Sequence, residues 1–276
     1  MTPVRLTEKV IIVTGSGTGI GLAIARRCVD EGARVVIHDL RADLVSHGVE
    51  SLRGSTANPR AIGHVEDITA CGCPERLVEV TLAAFGRLDG VVNNAAVITT
   101  GDIHSTPAAS FLHTVAVNTL APLQLIQAAL PHLRAVRGNV LNIGSVNAWC
   151  GEPNLLAYSI SKGGLMTLTR NLGDVLFRSE GVRVNQINPG WVLTENEAAR
   201  KRSDGLADDW PTHLPPQFCP AGRLIRPDEI AAAAIYWLAD ESGPISGQVV
   251  DLDQHPFIGR NPPKDSTTIP PPPTST

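Results

Sequence analysis

No surplus of basic charge, no membrane-length apolar run and no paired-cysteine pattern occur in this chain, and each absence removes a class of function. Lysine and arginine number 23 against 27 aspartates and glutamates, for a net charge of -4. That balance argues against nucleic acid or an anionic membrane as the main partner. No apolar run approaches the roughly 20 residues that cross a bilayer, and Met1 to Lys9 lacks the apolar core of a secretory leader. The expected compartment is the cytoplasm. The five cysteines, Cys28, Cys71, Cys73, Cys150 and Cys219, are odd in number and scattered. Cys71-Gly-Cys73 is neither a CxxC redox pair nor a standard zinc spacing. Adding His64 makes a conceivable metal site, but free, reduced thiols are the expectation and no metal is assigned. With no internal repeat of 20 to 50 residues and no second compositional regime, one domain is expected over residues 1–258, ahead of a proline-rich tail at 259–276.

What the chain does contain is a strand, a glycine turn and a helix in immediate succession. Residues 9–14 form a β-branched run of the kind that fills a buried parallel strand. Gly15-Ser16-Gly17-Thr18-Gly19-Ile20-Gly21 follows, and residues 22–31 read as a helix. Glycines let the backbone turn sharply and approach a pyrophosphate, whose charge the free N–H groups and dipole of the new helix would hold. A second strand, Arg34–Asp39, ends on an acid about 20 residues beyond the glycines. A carboxylate there accepts hydrogen bonds from ribose hydroxyls and repels a 2′-phosphate. Ser16 brings no positive charge to offset that repulsion, although Arg41 is close by. The balance predicts NAD in preference to NADP.

Strand-like runs recur at 61–65, 88–92, 139–143, 182–187 and 248–252, separated by helix-like segments near 74–85, 107–136, 155–178 and 227–239. This alternation implies right-handed βαβ units in one parallel sheet with both faces covered, an α/β architecture of the Rossmann type. Ligands in such sheets sit beyond the carboxyl ends of the strands. Asp67, Asn93, Ala95, Ser145 and Pro189-Gly190 all fall there.

Tyr158 and Lys162 stand one helical turn apart at the start of a segment whose leucines, 165, 168, 172 and 176, recur at helical spacing. A phenol ordinarily ionises near pH 10. An ammonium beside it lowers that value and makes the tyrosine a usable acid or base. Gly163-Gly164 costs the same helix about 1 kcal/mol per residue relative to alanine, a sign of a crowding neighbour. Pro122, lacking an N–H, deprives the Asn118 carbonyl of its helical partner and predicts a kink. Thr194 reads as a helix cap. Residues 195–222 are rich in polar, aromatic and proline residues, which suggests a mobile lid over the substrate. Asn147, Trp149, Glu152, Trp191 and Glu195 suggest a polar pocket with aromatic walls, suited to a sugar, polyol or cyclitol.

Taken together, the 14–21 TGSGTGIG turn, Asp67, the 93–96 NNAA run, Asn118, Ser145 with Tyr158-x-x-x-Lys162, and Pro189-Gly190 with Thr194 resemble the short-chain dehydrogenase/reductase family over roughly residues 8 to 254. The resemblance implies a doubly wound, seven-stranded parallel sheet with helices on both faces, assembled as a homotetramer. It implies hydride transfer between a nicotinamide cofactor and a secondary alcohol or ketone. The implied catalytic set is Asn118, Ser145, Tyr158 and Lys162. Tyr158 would exchange the proton, Lys162 would tune it and hold the nicotinamide ribose, and Ser145 would hold the substrate oxygen. The Asn118 carbonyl would seat a relay water. The implied cofactor contacts are Gly15, Ser16, Thr18, Gly19, Ile20, Gly21, Asp39, Asp67, Ile68, Asn94, Ala95, Tyr158, Lys162, Pro189, Gly190, Val192 and Thr194. Ser145, Asn147, Trp149, Trp191 and Glu195 are the expected substrate contacts. The family pattern is broken at two places: Ala96 replaces a glycine, and Gln254-His255 replaces Gly-Gly. An NADPH-dependent 3-oxoacyl thioester reductase and a non-catalytic NAD(H)-binding scaffold or sensor stay open as alternatives. In the tail, residues 255–259 are expected to cross onto a neighbouring subunit and 270–276 to be disordered.

Overall fold

Ile11 and Val13 point into one hydrophobic layer and Ile12 into the other, so the first strand, β1 (Val10–Thr14), is apolar on both faces and buried throughout. Such a strand is stable only where helices cover both sides of the sheet. The computed structural model describes residues 4–52, 60–216 and 218–255. After β1 come α1 (Gly19–Asp30), β2 (Arg34–Asp39), α2 (Ala42–Leu52), β3 (Ala61–Val65), α3 (Cys73–Phe85), β4 (Gly90–Asn93), α4 (Ala108–Val115), α5 (Ala121–Val136) and β5 (Asn139–Ile143). A short α6 (Asn147–Cys150), the long α7 (Leu156–Glu180), β6 (Arg183–Pro189), α8 (Glu195–Ser203), α9 (Pro227–Leu238) and β7 (Val249–Leu252) complete it. The proline-rich tail lies outside the described residues.

The seven strands pair in parallel in the order β3-β2-β1-β4-β5-β6-β7. Chain direction across the sheet reverses between β1 and β4, which opens a crevice at their carboxyl ends. One layer packs Ile24 and Cys28 of α1 against Ile230 and Ala234 of α9. The opposite layer joins Leu77 of α3, Leu125 and Leu133 of α5 and Leu176 of α7. Each such side chain, taken fully from water, contributes about 1.5–3 kcal/mol.

Three local features refine the sequence expectation. Helix α2 is not among the segments that read as helical, although Val45, Gly48 and Leu52, three and four residues apart, form its buried face. Helix α8 opens the stretch expected to be a mobile lid, and Thr194 caps it as read from the sequence, its Oγ1 accepting from Glu197 N at 3.1 Å. The kink foreseen at Asn118 takes the form of a π-helical turn over Ala116–Leu120, which absorbs the missing Pro122 donor without breaking the helix. By length and composition the continuous stretch Ala108–Val136 is apolar enough to cross a membrane. Polar residues interrupt it, so no unbroken apolar run marks it in the sequence, and its inner face packs on the sheet through Leu125, Ala129 and Leu133.

Candidate active site

The glycine turn is fastened to the NNAA loop by side chains from both. Thr14 Oγ1 accepts from the backbone N–H groups of Asn94 and Ala95, each at 3.0 Å. Asn94 Nδ2 donates to the carbonyls of Thr14 and Gly15 at 2.9 and 2.8 Å. Gly15 and Gly19 adopt φ of 59° and 57°, the left-handed region glycine enters at no steric cost. A β-carbon at Gly21 would lie 2.3 Å from the Gly15 carbonyl oxygen. The turn therefore presents bare backbone at the N-terminus of α1, a fitting floor for a pyrophosphate. Ser16, expected among the cofactor contacts, turns inward instead. It is fully buried, donating to the Val13 carbonyl at 2.6 Å and accepting from His38 N at 3.1 Å, which leaves its backbone as the part nearest the turn.

Asp39 closes the turn from the β2 side, its Oδ2 accepting from Gly17 N at 3.2 Å. Arg41 does not face it as a free cation. Its guanidinium is held by Asp43 at 2.5 Å. Asp67 Oδ1 accepts from the Thr69 N–H and hydroxyl at 2.8 and 2.7 Å, bonds that hold its carboxyl below the usual carboxylate range. Ile68 beside it is buried. Across the crevice, Gly190 N donates to the Leu252 carbonyl, Val192 bridges to Ile225, and Thr194 reaches the turn. A β-carbon at Gly19 would sit 3.3 Å from Thr194 Cγ2. Ile20 packs against the core of the α1 layer.

Ser145, Tyr158, Lys162 and Asn118 are brought together at the ends of β5 and α7. The Ser145 hydroxyl stands close enough to the Tyr158 phenol to favour its ionised form, and Ser145 Oγ accepts from Asn147 N at 3.2 Å. Lys162 Nζ donates to the Ile143 carbonyl at 2.8 Å and stands 5.7 Å from the centre of the Tyr158 ring. Asn118 spans the π-helical turn: its Oδ1 accepts from Val97 N, and its Nδ2 donates to the Val97 carbonyl and to Ser161 Oγ at 3.0 Å. Ser161 in turn donates to the Tyr158 carbonyl at 2.7 Å.

The electrostatics correct one expectation. Burial pushes the Tyr158 phenol above its ordinary value; the nearby Ser145 hydroxyl and the Arg200 charge pull it down but do not win. Burial also lowers Lys162 to about 8. The ammonium is engaged by a strand-end carbonyl and is itself desolvated, so the folded chain alone does not produce the depressed phenol that the spacing suggested.

The expected substrate contacts divide. Asn147 stays beside Ser145 and donates to Glu152 at 3.1 Å. Glu152, Glu197 and Arg200 are near enough for their charges to act on Tyr158. Trp149 turns away, its Nε1 donating to Asp251 at 2.9 Å with Arg170 over its ring. Trp191 stacks on Trp210 at 5.3 Å and donates to Glu197 at 2.8 Å, forming a small core for the 195–222 segment rather than an open wall. Glu195 sits on the cofactor side, accepting from the Thr18 hydroxyl at 3.1 Å. A carboxylate in the first turn of α8 is drawn to the positive end of α1. The crowding at Gly164 comes from Thr119 in the π-helical turn, 3.3 Å from where a β-carbon would lie, while Gly163 has ordinary contact with the Ala148 carbonyl.

Two arrangements were not foreseen. A buried polar ladder runs behind Ser145. Asn93 donates to Asn142, Asn142 to Thr169, Thr169 to Gln186, Gln186 to Asn188 and Asn188 to Asp251, at 2.7–2.9 Å. Asn188 Oδ1 also accepts from Ser145 N at 3.1 Å. Its signal in the sequence is faint: amides at alternate positions in otherwise apolar strands. Gln254, one of the departures from the family pattern, accepts from Ala221 N and donates to the Arg223 carbonyl at 2.9 and 2.7 Å, pinning the end of the 195–222 segment to the end of β7.

Comparison with known proteins adds independent support. The profile of a family described as enoyl-(acyl carrier protein) reductase matches residues 15–254. L-fucose dehydrogenase of Mus musculus is 38% identical over 242 residues, covering 86% of this chain and 84% of that protein. Meso-2,3-butanediol dehydrogenase of Serratia marcescens is 28% identical, covering 90% and 94%. The crystal structure of levodione reductase superposes with a TM-score of 0.82 at 27% identity, covering 90% of this chain and 97% of that one.

Proposed function

The chain belongs to the short-chain dehydrogenase/reductase family, and from that premise we propose that it oxidises a secondary hydroxyl of a sugar or vicinal diol with NAD. The observation that carries the reading is the convergence of Ser145 and Tyr158 at the open end of β5, with Lys162 5.7 Å from the phenol ring and the bare glycine turn across the crevice. When bound, the nicotinamide supplies the acceptor or donor of the hydride. Ser145 holds the substrate oxygen and keeps it in line with the phenol. Tyr158 takes the hydroxyl proton during oxidation and returns it during reduction. Lys162, fixed by the Ile143 carbonyl, stands over the phenol ring, 5.7 Å from its centre. Asn118 holds the segment through Ser161 to the Tyr158 carbonyl.

NAD rather than NADP is supported by Asp39 on the turn and by the pairing of Arg41 with Asp43. A 2′-phosphate would meet the Asp39 carboxylate, while the Arg41 guanidinium is drawn to Asp43 in an exposed pair. A polyhydroxylated substrate is supported by Asn147, Glu152 and Arg200 around the phenol, which offer donors and acceptors rather than an apolar channel. That the relatives include enzymes named for L-fucose and meso-2,3-butanediol agrees with it. Leu112 and Leu120 near the π-helical turn and Ile160 on α7 are exposed, which supports assembly as a homo-oligomer. The test is a spectrophotometric screen of aldoses, polyols, vicinal diols, hydroxy acids and acyl thioesters with each cofactor. The reading expects turnover with a hydroxylated substrate and NAD; turnover confined to acyl thioesters and NADPH would overturn it.

A further inference from the structure

Behind the adenosine side of the crevice, four potential metal ligands converge from three elements. β2 and β3 pair with His38 opposite His64, and the two imidazoles stack with centroids 5.9 Å apart. Glu66 follows β3 directly, its Oε2 2.9 Å from His64 Nε2. A left-handed turn at Gly72, φ 77°, brings Cys73 back against the strands, with Sγ 3.9 Å from His38 Nε2. The ligand atoms of His64, Glu66 and Cys73 all lie within 4.8 Å of one another. His38 is 2% exposed, and Nε2 is the nitrogen it turns toward Cys73.

We propose that His64, Glu66 and Cys73, completed by His38, bind a divalent cation of the zinc class. Zinc bonds of ~2.0–2.1 Å to nitrogen and ~2.3 Å to sulfur place neighbouring tetrahedral ligand atoms about 3.3–3.6 Å apart and two imidazole centroids about 5 Å apart. The ligand atoms of His64, Glu66 and Cys73, within 4.8 Å of one another, would close by up to about 1.5 Å to reach these values, and one of the two stacked imidazoles would turn to complete the shell. Two imidazoles, a thiolate and one carboxylate suit zinc better than the harder magnesium or calcium, which take oxygen ligands. Cys73 binds as the thiolate, its proton passing to solvent. The competitor is Arg76, which pairs with Glu66 and donates to the Cys71 carbonyl. Its side chain is 47% exposed, and an exposed ion pair is a weak rival to a metal bond. Bound there, the ion would tie together the ends of β2 and β3 beside Asp39 and Asp67. Of the conceivable set in the sequence, Cys71, Cys73 and His64, the last two are in the cluster and the Cys71 side chain is not among its ligand atoms.

The experiment titrates chelator-treated, full-length protein with Co²⁺ alone, followed by optical absorption and thermal melting. One equivalent should produce a thiolate-to-cobalt charge-transfer band that Zn²⁺ bleaches, and Zn²⁺ should raise Tm. Cys73→Ser should remove the band and Cys71→Ser should keep it. His64→Gln should weaken Co²⁺ binding at least about tenfold, and it serves as the second variant should Cys73→Ser fail to fold. Absence of the band, its survival in Cys73→Ser, its loss in Cys71→Ser, or undiminished affinity in His64→Gln would overturn the assignment.

Discussion

The ammonium of Lys162 donates to the carbonyl of Ile143, 2.8 Å away, and so ties the helix that carries the reactive phenol to the strand that carries Ser145. The bond satisfies a donor that is 3% exposed, and it leaves the lysine partly desolvated. Both facts have measurable consequences.

Burial lowers Lys162 from 10.5 to about 8. Between those values the unfolded chain binds this proton more readily than the folded one, so the lysine's contribution to stability grows as pH rises through that window and is lost as pH falls to about 8. Tm measured from pH 8 to 10.5 should therefore carry a stabilising slope that Lys162→Met flattens. A slope unchanged in the variant would show that the lysine is not desolvated as described.

Arg41 is the nearest guanidinium to the position a 2′-phosphate would take, and Asp43 holds it. Replacing Asp39 and Asp43 together by alanine should remove the repelling carboxylate and free the cation. The ratio of kcat/KM for NADP to that for NAD should rise by about tenfold or more, the scale of one charge-assisted hydrogen bond. Steady-state kinetics with both cofactors checks it.

Asn188 accepts from Ser145 N and from Gln186, and donates to Asp251. Asn188→Ala leaves these buried groups unmatched, at about 1–3 kcal/mol. Chemical denaturation should register that loss, and kcat should fall with it because Ser145 is no longer held.

Gln254 fastens residues 221 and 223 to the end of β7. In Gln254→Ala the 195–222 segment should loosen. Substrate KM should rise several-fold while NAD affinity is little changed, and limited proteolysis should cut within 195–222 sooner.

The parallel sheet was legible because its signals are local. The β-branched run of β1, the glycines after it and the alternation of strand and helix patterns each announce themselves within a dozen residues. Asp39 and the Tyr158–Lys162 spacing are legible for the same reason. Glu195 and Trp149 were not, since their direction depends on how α8 and α6 pack against distant elements. The ladder from Asn93 to Asp251 is illegible one residue at a time: an amide inside a strand reads as an interruption until the register sets Asn93 beside Asn142 and Asn142 beside Gln186. The ionisation of Tyr158 needed burial as well as spacing, and burial reversed the direction that spacing alone suggested.

Tyr158→Phe tests the central claim most directly. It removes one oxygen from a side chain that is 9% exposed and leaves the packing in place. Turnover with the best hydroxylated substrate should fall by about 10²–10⁴-fold, the range for losing a positioned acid–base group, while NAD affinity by fluorescence titration stays within a few-fold. A variant that keeps a substantial share of the wild-type rate would contradict the account, since another group would then be carrying the proton.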